Sequence, residues 1–102
     1  KDNIDRINNF PNPFNNDTYF YFELQGDAIP EEIKIRIFTI AGRLIKEFDL
    51  RNKDYRIGFN KIYWDGKDND GDDIANGVYL YKVIAKYPEQ TRTETMKLVR
   101  MR

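Results

Sequence analysis

The chain has 102 residues, 40% of them hydrophobic and 15% aromatic, enough for one core in a single domain that buries roughly 65% of the unfolded chain's surface. Seventeen Lys and Arg balance seventeen Asp and Glu, so no net field draws in nucleic acid or an anionic membrane, and no apolar run approaches the roughly 18 residues of a membrane-spanning helix. His, Cys and Ser are all absent, which removes disulfides, thiolate and imidazole metal sites, and the usual nucleophile and base pairs of hydrolases. Carboxylate pairs remain, but a domain of this size offers little depth for a substrate cleft; neither enzymatic activity nor a cofactor is expected. A start at Lys1 rather than Met reads as a piece of a longer protein.

Period-two alternation runs nearly throughout. Asp5 to Phe10 suggests a short edge strand. Phe10 to Phe14 (FPNPF) contains two prolines that cannot donate to a sheet ladder, so it reads as an extended corner with Phe10 and Phe14 plugging the sandwich end. In Thr18 to Leu24, Phe20, Phe22 and Leu24 point one way while Tyr19, Tyr21 and Glu23 point the other. Glu32 to Ile40 repeats the pattern with Ile33, Ile35 and Ile37 inside and Lys34 and Arg36 outside. Ala41-Gly42-Arg43 then makes a tight turn into Leu44 to Leu50, so these two strands pair antiparallel. Asn60 to Trp64, Gly77 to Tyr87 and Thr91 to Met101 supply the rest. No segment carries a sustained 3.6-residue apolar stripe. The fold expected is all-β, an immunoglobulin-like antiparallel sandwich of about seven strands, with a barrel as the alternative.

Between Trp64 and Val78 lies an acidic stretch with Asp65, Asp68, Asp70, Asp72 and Asp73. A calcium loop of EF-hand type needs acids at its first, third and fifth positions, Gly at the sixth and Glu at the twelfth. With Gly71 sixth, Asp68 and Asp70 fall correctly, but Gly66 stands first and Gly77 twelfth, where ligands belong. The stretch therefore reads as a turn-rich connection in which Asp and Asn bond their own backbone, with Trp64 and Val78 as the first core residues on either side. Asp68 and Asp70 are the weak metal candidates. The Asn16-Asp17-Thr18 triplet matches a glycosylation acceptor, a pattern common by chance.

Five blocks in order carry a family likeness: FPNPF at Phe10 to Phe14, FTIAGRL at Phe38 to Leu44, WDGKDNDG at Trp64 to Gly71, NGVYLYK at Asn76 to Lys82, and MKLVRMR at Met96 to Arg102. Together they resemble the C-terminal sorting domains of type IX secretion cargo in Bacteroidetes-like bacteria. The longer Trp64 to Gly77 connection is also similar to the immunoglobulin-like domain of flagellar hook-capping proteins and to the terminal domain of the type IX sortase, which is retained rather than cleaved.

The resemblance implies a passenger role at the C-terminus of a larger secreted protein. It implies that the domain acts as a signal recognised by the outer-membrane translocon, with a shuttle protein and a sortase as further partners, and that it carries its parent through the periplasm to the surface or the medium without inserting in a membrane. It further implies recognition through Pro11, Asn12 and Pro13, through Gly77, Val78 and Tyr79, and through the last strand at Lys97, Leu98, Val99 and Arg100. Lys97 and Arg100 are expected at its surface. The alternative is a structural or adhesive module, hook-cap-like or a carbohydrate-binding appendage, for which Tyr19 with Tyr21 or Tyr79 with Tyr81 could form an outer aromatic platform.

Overall fold

The computed structural model describes residues 2–102. Its strands are β1 (Asn3–Phe10), β2 (Thr18–Gln25), β3 (Glu32–Thr39), β4 (Leu44–Leu50), β5 (Gly58–Trp64), β6 (Gly77–Lys86) and β7 (Thr91–Arg100), with one 3-10 turn at Asn52–Asp54. A three-stranded sheet in the order β1-β2-β5 packs on a four-stranded sheet in the order β4-β3-β6-β7. All strand neighbours are antiparallel. The chain is therefore an immunoglobulin-like sandwich, as the alternation predicts.

The inward residues named from the sequence in β2 and β3 are fully buried, and Tyr81, Val83 and Ala85 of β6 join them. Trp64 closes one end of this core. Its ring stacks on Phe20 at 5.9 Å and meets Phe14 at 5.4 Å, while Phe20 meets Tyr81 edge-on at 4.8 Å. Each such aromatic contributes about 1.5–3 kcal/mol by burial alone.

Three expectations fail here for reasons of parity. Phe10 does not plug the sandwich: it is 68% exposed, and Phe14 does the plugging. The cause is a bulge in β1, where pairing jumps from Asp5↔Glu23 to Asn8↔Tyr21 around Arg6, a non-glycine residue at φ 52. The extra residue inverts the faces, so Ile4 and Asn9 both point inward and Phe10 points out. Val78 is likewise exposed, and Ile74 and Tyr79 are the first core residues after the acidic stretch. Tyr79 and Tyr81 share the inner face of β6 with Val83 and Ala85, so they form no outer platform.

Candidate functional site

The antiparallel pairing of β6 with β7 sets Gly77 against Arg100, Val78 against Val99 and Tyr79 against Leu98. The proline-containing corner then lies along the free side of β7. Val99 N donates to Asn12 Oδ1 at 3.0 Å, and Asn12 Nδ2 donates to the Lys97 carbonyl at 3.2 Å. Phe14 N donates to the Val99 carbonyl at 2.9 Å, and Met101 N donates to the Phe14 carbonyl at 2.8 Å. All three blocks singled out from the sequence thus meet at one pole. Pro11, Asn12, Pro13, Val78 and Lys97 are exposed there, Gly77 and Val99 half-buried, and Tyr79 and Leu98 belong to the core.

Arg100 corrects the expectation of a surface residue, for it is only 1% exposed. Leu98 faces the core, and a strand returns to the same face two residues on, so Arg100 must follow it inward while Lys97 and Val99 point out. Its Nε donates to the Asn15 carbonyl at 2.9 Å and its Nη1 to the Gly66 carbonyl at 2.7 Å, with the guanidinium over the Phe14 ring at 5.4 Å. Nη2 makes no hydrogen bond and faces Asp73 Oδ1 at 3.7 Å. One side chain thereby ties the corner after β1, the connection after β5 and the end of β7.

Gly66 lets that happen. Its φ is 76, and a Cβ there would stand 2.7 Å from the Asn16 carbonyl oxygen and 2.8 Å from Arg100 Nη1. Trp64 Nε1 donates to the Lys67 carbonyl at 2.8 Å in the same turn.

The acidic connection is a docked structure. Asp68 Oδ1 accepts from the amides of Asp70 and Asp72, both at 3.0 Å, and Asp65 Oδ1 accepts from Lys67 N at 3.0 Å. Asn69 laces the loop to β4: its amide donates to the Ile45 carbonyl at 2.9 Å, and its Oδ1 accepts from Glu47 N at 3.2 Å. Among the described residues no group of three or more acids is placed to hold a metal ion, and the Asp68 oxygen is engaged by backbone. Asp73 faces Lys67 at 3.5 Å and Arg102 at 3.2 Å as well as Arg100. Partial desolvation pushes its carboxyl up, but the charges of Lys67 and Arg102 outweigh this and hold it below the usual carboxylate range.

Sequence reasoning missed Phe14's contact with Arg100, and with it Gly66 and Asp73. The signal available was parity along β7 from Leu98. On the outer face of the smaller sheet, Tyr19 meets Tyr63 edge-on at 5.3 Å and lies under Lys61 Nζ at 4.7 Å. These are cross-strand contacts, with the two tyrosine rings tilted 61° to each other rather than coplanar.

Fold and pole together define an immunoglobulin-like module in which the corner after β1 is locked to the end of the last strand. The FlgD Ig-like domain family matches residues 8–89, and the chain belongs to that family. No curated protein matches. Among solved structures, dimeric latent PorU from Porphyromonas gingivalis is similar over 99% of this chain and 9% of its own, with TM-score 0.78 and 23% identity. PorZ, an essential bacterial surface component of the type-IX secretion system of the same organism, is similar over 95% of this chain and 12% of its own, with TM-score 0.60 and 18% identity. The likeness is one of fold, and the chain spans about a tenth of either protein's length.

Proposed function

We propose that this chain is the C-terminal sorting domain of a larger secreted or cell-surface protein, directing it through the type IX outer-membrane translocon with a shuttle protein and a sortase as partners. The observation that carries this reading is the convergence of Pro11 to Pro13, Gly77 to Tyr79 and Lys97 to Arg100 at one pole, joined by the Asn12 bonds to β7. That arrangement gives a receptor one composite surface in which the end of the last strand cannot change without moving the proline corner. The fold shared with PorZ, itself a type-IX secretion component, supports the same reading.

The FlgD Ig-like match favours a second reading, a hook-cap-like structural module without a sorting role. One experiment separates the two. Residues 1–102 are fused behind a periplasmically exported reporter in a type IX-competent host, and surface reporter is measured by external protease. Surface delivery that is lost in a translocon-deficient strain supports sorting. A folded fusion that stays in the periplasm of the competent host supports the structural module.

A further inference from the structure

β7 is the edge of the larger sheet, and only part of that edge is covered. The corner at Asn12 and Phe14 occupies Lys97 to Met101 through Lys97 O, Val99 N, Val99 O and Met101 N. In an antiparallel strand a residue presents its N–H and C=O on the same side, alternating along the chain. The outward set is therefore odd-numbered, and Thr91, Thr93 and Thr95 present unpaired main-chain groups; among the described residues no strand pairs on that side of them. Every side chain from Thr91 to Lys97 is exposed.

We infer that this edge pairs with the same edge of a second copy, antiparallel about a two-fold axis through Thr93. In that register Thr93 meets Thr93 and Thr91 meets Thr95, each pair exchanging both main-chain bonds. Arg92 falls opposite Glu94 in the intervening non-hydrogen-bonded positions, where facing side chains are closest. Two-fold symmetry repeats the Arg92–Glu94 pair. Shifting the axis to Glu94 would set Glu94 against Glu94, and shifting it to Arg92 would set Arg92 against Arg92. A shift to Thr95 would set Glu94 against Met96. Of the axes at residues 92 to 95, only that through Thr93 sets opposite charges against each other, and the product is a continuous sheet across two sandwiches. The edge lies toward the end of β7 remote from the Asn12 pole, so pairing there does not depend on the sorting reading.

The test is sedimentation equilibrium on residues 1–102 over about 10 μM to 1 mM, the range in which a small interface associates. A monomer–dimer equilibrium is expected, with the Thr93 and Thr95 amides gaining hydrogen-exchange protection as concentration rises. Glu94→Arg alone and Arg92→Glu alone should each weaken the dimer about tenfold or more, since each turns two attractive pairs into like-charge pairs. Mixing these two variants should restore association, because each supplies the charges the other lacks, and the double variant should restore it on its own. The restored mixtures also show that both variants fold. A monomer at every concentration overturns the inference, and so does a dimer indifferent to either charge reversal.

Discussion

Truncating Arg100 tests whether the pole is held as described. Arg100→Ala removes one bond to a buried carbonyl at Gly66, one to the part-buried carbonyl of Asn15, and a guanidinium that fills space against Phe14. Hydrogen bonds to a charged group contribute about 1.5–3 kcal/mol each, and breaking a buried ionic contact costs about 3–5 kcal/mol. Because Asp73 is partly exposed and can recover water, the ionic contact adds little, and the two hydrogen bonds, one of them only part-buried, set the cost at about 3–5 kcal/mol. For a domain of this size that is a fall in Tm of roughly 12–40 °C. Trp64, the single tryptophan, sits within the affected pole and reports urea unfolding directly. Arg100→Lys keeps the charge but not the fork, and should fall between wild type and Ala. Lys97→Ala, at an exposed position of the same strand, should stay within about 0.5 kcal/mol. An Arg100→Ala chain as stable as Lys97→Ala would refute the structural role given to the guanidinium.

Gly66→Ala should cost about 2 kcal/mol or more, since the position combines positive φ with backbone 2.7 Å from the new Cβ; the same urea titration measures it. Phe14→Ala should cost about 3–5 kcal/mol and Phe10→Ala about 0.5 kcal/mol or less, reversing any ranking based on their shared motif. Calcium at millimolar concentration should leave Tm nearly unchanged, since even a ligand at its own dissociation constant adds only ~0.4 kcal/mol; a shift of many degrees would reassign Asp68 and Asp70. Burial pushes Tyr55 up to about 12 and raises Tyr79, Tyr81 and Tyr87 as well. A raised phenol favours the neutral form in the folded state, so its contribution is complete below about pH 10 and lost as pH rises toward the folded value. Stability measured across pH 8 to 12 should therefore hold and then fall, with phenolate absorbance of these tyrosines appearing together with unfolding.

The faces of β2 and β3 were legible because Phe20, Phe22 and Leu24, and Ile33, Ile35 and Ile37, alternate against polar or amphipathic neighbours without interruption. β7 was harder. Arg92, Glu94 and Arg100 share the face of Leu98, so polarity alone marks that face as outer when its last residue is buried. At Arg100 the fold uses the guanidinium to satisfy carbonyls from distant segments, a role set by Asn15 and Gly66 rather than by any local pattern. Phe10 misled because the bulge at Arg6 shifts parity, and nothing in the composition of β1 announces it. The pole was readable only as separate blocks; the Asn12 bonds that join them span more than eighty residues of chain.

Recognition through the pole is tested most directly by surface delivery of the reporter fusion in two folded variants. One, Val78→Asp with Lys97→Glu, alters only exposed side chains at the pole; the other, Lys53→Asp with Arg56→Asp, alters exposed side chains at the opposite end, near the start of β5. Trp64 fluorescence establishes that both retain the native core. The pole variant should accumulate in the periplasm while the opposite-end variant reaches the surface like wild type. Equal delivery of the two would contradict recognition through this pole.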